Sequence, residues 1–318
     1  MNVIAIDLGG TKLAAAIFRK TGELVRQSTF ELAGRKGKEV CDIILSAIKD
    51  LKYFAQENKQ PISAVGISIP GIYYADNGRV WAPNIPGWDD YPLLNELTSI
   101  EELKNIRIKI DSDRACYILG ETWQGAAQGS KNAIFIAVGT GIGAGILIDG
   151  KILRGHNDIA GAIGWLALER PFQQKYKSFG CFEYQASGTG LARLAGELIR
   201  ETKNYSGVLS KVKSDQITGR NVFAAYEQKD PIAIKVIENA ISLWAMATAN
   251  LVSLFDPEMI IFGGGVFGPA TQFIDRIQAE SELWAQPISF IKVKIIASKL
   301  GGDAGLYGAG QLALSELI

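Results

Sequence analysis

Apolar residues run through VIAID (3–7), stop at Gly9 and Gly10, and resume in LAAAIF (13–18) before a Thr21-Gly22 turn leads into ELVRQSTFEL. Two apolar runs split by a glycine turn read as a β-hairpin, and the next run adds a third strand. A helical period follows from about Val40 to Glu57, then a buried strand, AVGISIPG. In NGRV the Asn77-Gly78 pair predicts a two-residue hairpin turn, because both positions accept positive φ. After the loop APNIPGWDDYP and a short helix, IRIKIDSD reads as a strand running into a helix at ACYILGETWQGAAQG.

From Ala133 the opening pattern returns. VIAIDLGGTKLAAAIF and AIFIAVGTGIGAGILI each set an apolar strand, a Gly/Thr-rich turn and a second apolar strand, about 130 residues apart, a spacing that fits a duplicated domain and not a solenoid. The later chain is mostly helical (LARLAGELIR, VFAAYEQ, PIAIKVIENAISLWAMATANLVSLF), with a strand at MIIFGGGV, a helix from about Pro269, a last strand VKIIAS and a terminal helix LYGAGQLALSELI. The pattern predicts two α/β domains with mixed sheets flanked by helices, facing across a central cleft. The expected division is 1–113 plus the C-terminal helix 301–318, and 114–300.

Bulk composition narrows the function. With 33 basic and 33 acidic residues the chain has no net charge, which argues against nucleic acid or an anionic membrane as partner and for a small ligand. No basic leader precedes the first strand and no run reads as a membrane span, so a cytoplasmic protein is expected. Cys41, Cys116 and Cys181 are odd in number and unpaired in spacing, and His156 is the single histidine. That argues against disulfides, a cysteine zinc site and a Ser-His-Asp triad.

Three glycine clusters follow strands: DLGGTK, GTGIGAG and GGG at 263–265. Glycines let backbone N–H groups approach phosphate closely, although each cluster also reads as a plain tight turn. GTGIGAG leads into ILIDGKIL, a strand with an Asp149-Gly150 turn, where a dinucleotide fingerprint would open a helix. Asp7, Thr11 and Lys12 add a carboxylate, a hydroxyl and a cation, so that together the clusters point to a nucleoside triphosphate.

DLGGTK, SIPG with NGRV and APNIPGW, the strand ending in DSD, GTGIGAG, FDPEMIIFGGGV and LGGDAGLYGAG, in this order, resemble the ROK sugar-kinase family of the actin-like ATPase superfamily. The resemblance covers nearly the whole chain. It implies two actin-like (ribonuclease H-like) domains, a homodimer, and ATP- and Mg²⁺-dependent phosphorylation of a sugar hydroxyl, usually the 6-hydroxyl of a hexose. By family position Asp113 is the general base; capping of the following helix is its alternative role, and Asp111 is a rival in the same motif. Asp7 would hold the Mg²⁺ water shell, with Gly9, Gly10, Thr11, Lys12, Gly139, Thr140 and Gly141 at the phosphates and Gly264 and Gly265 at the nucleoside. Gly71, Asn84 and Ser112, where the family typically has asparagine, fall near the sugar. The family's repressors carry an N-terminal winged helix, for which a first strand beginning at residue 2 leaves no room. A non-catalytic sensor and an actin-like polymer share the fold; the retained Asp7 and Asp113 favour catalysis over the first, and the sugar-side segments argue against the second.

The chain departs from the family at its sugar wall. Where the family writes A-G-E-I-G-H, this sequence has AGAIGW, with Ala162 and Trp165 in place of the sugar-binding glutamate and histidine. Of the cysteine motif that completes a structural zinc site, KSFGCFEYQASG keeps only Cys181 and Glu183, so no zinc site is expected. Losing two hydrogen bonds to charged groups costs roughly 3–6 kcal/mol, about two to four decades of affinity. That disfavours an ordinary glucokinase and points to a hexose altered at C1 or C2, or to another sugar. Glu183 remains a candidate for a sugar hydroxyl. Trp165 either offers an aromatic face to the ligand or packs with Phe172, Phe179, Phe182 and Tyr184 to hold the loop that lost its metal.

Overall fold

The structure, a computed structural model, describes residues 1–315 and 317. In chain order its elements are β1 (Asn2–Leu8), β2 (Lys12–Arg19), β3 (Leu24–Glu31), α1 (Lys38–Glu57), β4 (Ile62–Ile69), β5 (Ile72–Tyr74), β6 (Arg79–Trp81), α2 (Leu93–Thr98), β7 (Arg107–Ser112) and α3 (Asp113–Trp123). They continue with β8 (Ala133–Val138), β9 (Ile142–Ile148), β10 (Lys151–Ile152), α4 (Cys181–Ala186), α5 (Gly188–Glu201), α6 (Gly219–Glu227), α7 (Pro231–Phe255), β11 (Met259–Gly263), α8 (Ile274–Glu282), α9 (Pro287–Phe290), β12 (Lys294–Ala297) and α10 (Ala304–Leu314).

Two five-stranded sheets carry the fold, in the orders β3-β2-β1-β4-β7 and β10-β9-β8-β11-β12. In each, an antiparallel hairpin (β1–β2, β8–β9) is extended on its first strand by two parallel strands. The internal duplication expected from the sequence is thus present in topology. Contacts divide the chain into a unit of 1–130, 152–160 and 302–318, and a unit of 131–151 and 161–301.

In the first unit β1 is buried on both faces. Ile4, Ile6 and Leu8 join a core with α1, while Val3 and Ala5 pack under Leu306 and Ala309 of α10. The division differs from the one expected at 113/114, because α3 packs on α10. At Gly308 a Cβ would lie 1.8 Å from the Cys116 carbonyl oxygen, an approach that only glycine permits. This contact joins α3 to the first unit, and residues 152–160 return to it through the Arg154–Asp111 ion pair described below. Positions 316 and 318 of the expected C-terminal helix lie outside the described residues.

The second unit is built round α7, which runs over the 25 residues read from the sequence. Asp230 caps it by accepting hydrogen bonds from the N–H groups of Ile232 and Ala233, Pro231 occupies its first turn, and Asp256 ends it in a left-handed conformation. Among the described residues α7 is the one helix long and apolar enough to cross a membrane, although the sequence reads as holding no such run. Most of it is buried as the unit's core.

Two local expectations need correction. The turn joining β5 to β6 spans four residues, Ala75 to Gly78, and among them only Gly78 has positive φ (72°). Asn77 is not left-handed; its side-chain oxygen accepts from the Arg79 N–H at 3.0 Å and stabilises the longer turn. After β11 the chain makes short 3₁₀ turns at Gly265–Phe267 and Pro269–Phe273 before α8 begins.

Candidate active site

In the first unit, β1 carries Asp7 as its last residue but one and the chain then turns through Gly9 and Gly10, the Gly9 N–H donating to the Lys12 carbonyl at 2.9 Å. Thr11 and Lys12 are exposed at the tip. Burial pushes the Asp7 carboxyl up to about 6, with Asp113 and Asp303 adding repulsion and Lys12 opposing it. Asp7 also abuts α10: a Cβ at Gly305 would lie 2.6 Å from its Oδ1. A carboxylate penalised in this way by two others fits a dication. Among the described residues no group of three or more His, Cys, Asp and Glu comes together as metal ligands, so a Mg²⁺ ion beside Asp7 would draw most of its ligands from phosphate and water.

β7 delivers DSD to the N terminus of α3 and separates the three side chains by task. Ser112 is the cap, its hydroxyl accepting from the Ala115 N–H at 3.3 Å. Asp111 is 3% exposed, accepts from the Ser112 N–H and is held by Arg154, Nη2 to Oδ2 2.6 Å. Asp113 is the first helical residue, with Oδ1 accepting from the Arg114 N–H at 2.7 Å and Oδ2 from the Tyr117 hydroxyl at 3.3 Å. Burial raises the Asp113 carboxyl above its ordinary value, against the lowering effects of Arg114 and Tyr117. The capping role considered for Asp113 therefore falls to Ser112, and the rival Asp111 is occupied by Arg154.

Asn84 is exposed and stands beside the first glycine turn, its Cβ 3.7 Å from where a Cβ on Gly10 would be. Its loop is fixed by Trp88, which is buried, stacks on Tyr91 with ring centroids 4.8 Å apart, and donates from its indole N–H to the Gly37 carbonyl at 2.9 Å. Gly71 enters β5 where a Cβ would lie 2.0 Å from the Trp81 carbonyl oxygen, so close strand packing already requires glycine there.

In the second unit the Gly139–Gly141 turn joins β8 to β9. Glu183, from α4, reaches its end: Oε2 accepts from the Ile142 N–H at 2.7 Å, and a Cβ on Gly141 would lie 2.6 Å from the same oxygen. The Gly188 N–H donates to the Gly139 carbonyl at 2.8 Å and the Thr189 hydroxyl to the Thr140 carbonyl at 2.7 Å, which sets the positive end of α5 beside the turn. Gly264 has φ 87° and backs onto β8, where a Cβ would lie 2.5 Å from the Val138 carbonyl oxygen; Gly265 faces open space. Trp165 ends a 3₁₀ turn, Ile163–Trp165, whose Gly164 lies against Glu183.

The ROK family model matches residues 3–316. The chain belongs to the ROK family. A glucokinase of Halalkalibacterium halodurans is 33% identical, with 98% of this chain and 95% of that protein covered. An N-acetyl-D-glucosamine kinase of Shigella boydii is 26% identical, with 98% of each covered. Among solved structures, a ROK family glucokinase from Streptomyces griseus in complex with glucose and AMPPNP superposes with a TM-score of 0.79 at 29% identity, covering 99% of this chain and 100% of that one. The two duplicated units accordingly form the actin-like ATPase fold of the ROK kinases.

Within this ROK chain the segment around Cys181 is held by a polar network. The Tyr176 hydroxyl and the Gln185 amide both donate to Glu169 Oε2, each at 2.6 Å, and Asn239 donates to Gln185 Oε1 at 3.3 Å. Gln185 also points its amide at the Cys181 sulfur, 3.8 Å away. The aromatic side chains sort themselves without Trp165. Phe182 is in the core, Tyr176 and Tyr184 pack edge to face, and Arg193 sits over both Phe179 and Tyr184. Trp165 is 57% exposed and makes no ring contact among the described residues, so the loop-filling role does not hold for it.

Several side chains that shape the site were missed in the sequence: Arg154, Tyr117, Asp303 and Thr189. Of these Thr189 carried a local signal, since SGTG at 187–190 is a glycine turn opening a helix. Arg154 is 43 residues from its partner Asp111 and had none.

Proposed function

We propose that this carbohydrate kinase of the ROK family transfers the γ-phosphoryl group of ATP to the 6-hydroxyl of a hexose or hexose derivative, with Asp113 as general base. The division of tasks in the DSD turn carries the proposal. Ser112 takes the cap and Arg154 takes Asp111, and what remains is one desolvated carboxylate whose raised pKa suits it to accept a proton. In this reading Asp113 receives the hydroxyl proton as the sugar oxygen bonds to the γ-phosphorus and the bond to the β–γ bridging oxygen breaks, leaving ADP. ATP with Mg²⁺ supplies the phosphoryl group and the charge that offsets its oxygens. Asp7 would orient the ion's water shell, Lys12 and Thr11 would meet phosphate oxygens, and the Gly139–Gly141 turn would offer backbone N–H groups. Gly264 and Gly265 would lie at the nucleoside, and Asn84 at the sugar.

The sugar's other end is read from Ala162, Trp165 and Glu183. Glu183 spends Oε2 on the Ile142 N–H and keeps Oε1 for a hydroxyl. Ala162 sets a small side chain where the family has a glutamate, and the Trp165 indole is exposed; the two together favour a sugar carrying a substituent at C1 or C2. Activity of the Shigella boydii relative on N-acetylglucosamine is in keeping with such a substrate. A coupled ADP-release assay over glucose, mannose, N-acetylhexosamines and alkyl glucosides tests both levels. Turnover with a higher kcat/KM for a substituted hexose supports the reading. Preference for free glucose with no advantage for substituted sugars removes the substituent, and no turnover with any hexose removes the proposed reaction.

A further inference from the structure

Glu169 stands four residues after Trp165 and is exposed, yet two buried groups share one of its oxygens. The Tyr176 hydroxyl and the Gln185 amide each donate to Oε2 at 2.6 Å, and these donors are 4% and 8% exposed. No cation pairs with Glu169 among the described residues, so what it supplies is an acceptor oxygen. Gln185 lies on α4, two residues beyond Glu183. The core helix α7 holds α4 in turn: Asn239 donates to Gln185 Oε1 at 3.3 Å and the Trp244 indole N–H to the Ala186 carbonyl at 3.1 Å.

The Trp165 turn rests against the same helix through its backbone. A Cβ on Gly180 would lie 2.4 Å from the Gly164 carbonyl oxygen and 2.6 Å from Trp165 Cα, and one on Gly164 would lie 2.9 Å from Glu183 Cβ. Ile163, Leu166 and Leu168 pack on the core, but apolar contact carries no direction. Residues 169–172 are exposed and make no backbone hydrogen bond among the described residues. The Glu169 carboxylate is therefore the directional tie from this segment to α4. We propose that Glu169 is a positioning residue for the sugar: by clamping the Trp165 turn to α4 it fixes the indole relative to Glu183 Oε1, and so sets the discrimination among hexoses. The inference rests on the reading that Trp165 and Glu183 face the sugar. Because Glu183 is held separately by the Ile142 N–H, loosening the clamp moves Trp165 and leaves the Gly139–Gly141 turn in place. Burial, and then the bond to Glu169, raise the Tyr176 hydroxyl above its ordinary value, which keeps it a donor to the clamp.

Steady-state kinetics and hydrogen exchange on the full chain test this with Glu169→Ala, Glu169→Gln and Trp165→Ala. The carboxamide oxygen of a glutamine can accept both bonds, whereas alanine leaves both donors unpaired. Glu169→Ala should speed exchange across 166–175 and raise KM for the preferred hexose at least roughly ten-fold, with kcat and KM for ATP within about two-fold and circular dichroism unchanged. Glu169→Gln should restore slow exchange and the wild-type KM. In a Trp165→Ala background, Glu169→Ala should change the sugar KM by less than about two-fold, because its effect passes through the indole. Unchanged exchange in Glu169→Ala overturns the clamp. A sugar KM unchanged in Glu169→Ala but raised in Trp165→Ala overturns the positioning role and leaves Trp165 at the sugar; a KM unchanged in both removes the underlying reading, and the proposal with it.

Discussion

Replacing Asp7 by asparagine separates what the site gains from that carboxylate from what the fold gives up to hold it. Asp7 carries a pKa of about 6 against an ordinary 3.8, chiefly through burial and then through Asp113 and Asp303. A shift of roughly two units corresponds to about 3 kcal/mol that the folded chain forgoes to keep Asp7 ionised at neutral pH. The sign is that of a raised carboxyl: the protonated form favours folding, so this contribution is present below pH 3.8 and lost as pH rises to about 6. An asparagine side chain has the same shape and no charge. At pH 8 without nucleotide, Asp7→Asn should therefore melt higher by roughly 6–12 °C, at 2–4 °C per kcal/mol for a unit of this size, and the advantage should vanish near pH 4. The same variant should lose sugar-dependent ADP release if, as proposed, Asp7 orients the water shell of the ATP-bound dication. Differential scanning calorimetry at pH 8 and pH 4 reads the first effect. A variant that melts at or below wild type at pH 8, or whose gain is the same at both pH values, refutes the reasoning.

Two further substitutions probe the neighbouring groups. Arg154→Met leaves Asp111, 3% exposed, without its cation; chemical denaturation should show a loss of roughly 3–5 kcal/mol, and a loss below 1 kcal/mol would mean that Asp111 does not depend on Arg154. Trp165→Ala removes an exposed ring that packs against no other, so stability should change by no more than about 0.5 kcal/mol, while KM for a substituted hexose rises at least several-fold with kcat nearly constant; an unchanged KM for every sugar would remove Trp165 from the site.

How much of this could be read from the chain follows the range of the interactions. Both glycine hairpins, the limits of α7 and the Asp149-Gly150 turn are set by neighbours in sequence, through periodicity, capping and positive φ, and they stand as read. The four-residue turn at 75–78 was misjudged because the Asn77 side chain found a backbone partner that a two-residue turn would not offer. In the site, DSD was visible as a motif, but its division among cap, ion pair and a carboxylate with no cation on it depends on Arg154 arriving from residues 152–160, which no local pattern announces. Glu183 was expected at a sugar hydroxyl; its tether to the Ile142 N–H spans 41 residues and became visible only with the fold. The contact of α3 with α10 is likewise long-range, and it moved the boundary of the first unit to Ser130.

If Asp113 takes the hydroxyl proton, single-turnover phosphorylation by Asp113→Asn should expose that role without interference from product release. Because the carboxamide oxygen of an asparagine can keep the hydrogen bond that the Arg114 N–H now gives Asp113, the fold and sugar affinity should be retained while the chemical step slows by roughly 10²–10⁴-fold. A phosphoryl-transfer rate within a few-fold of wild type, with folding intact, would contradict the account.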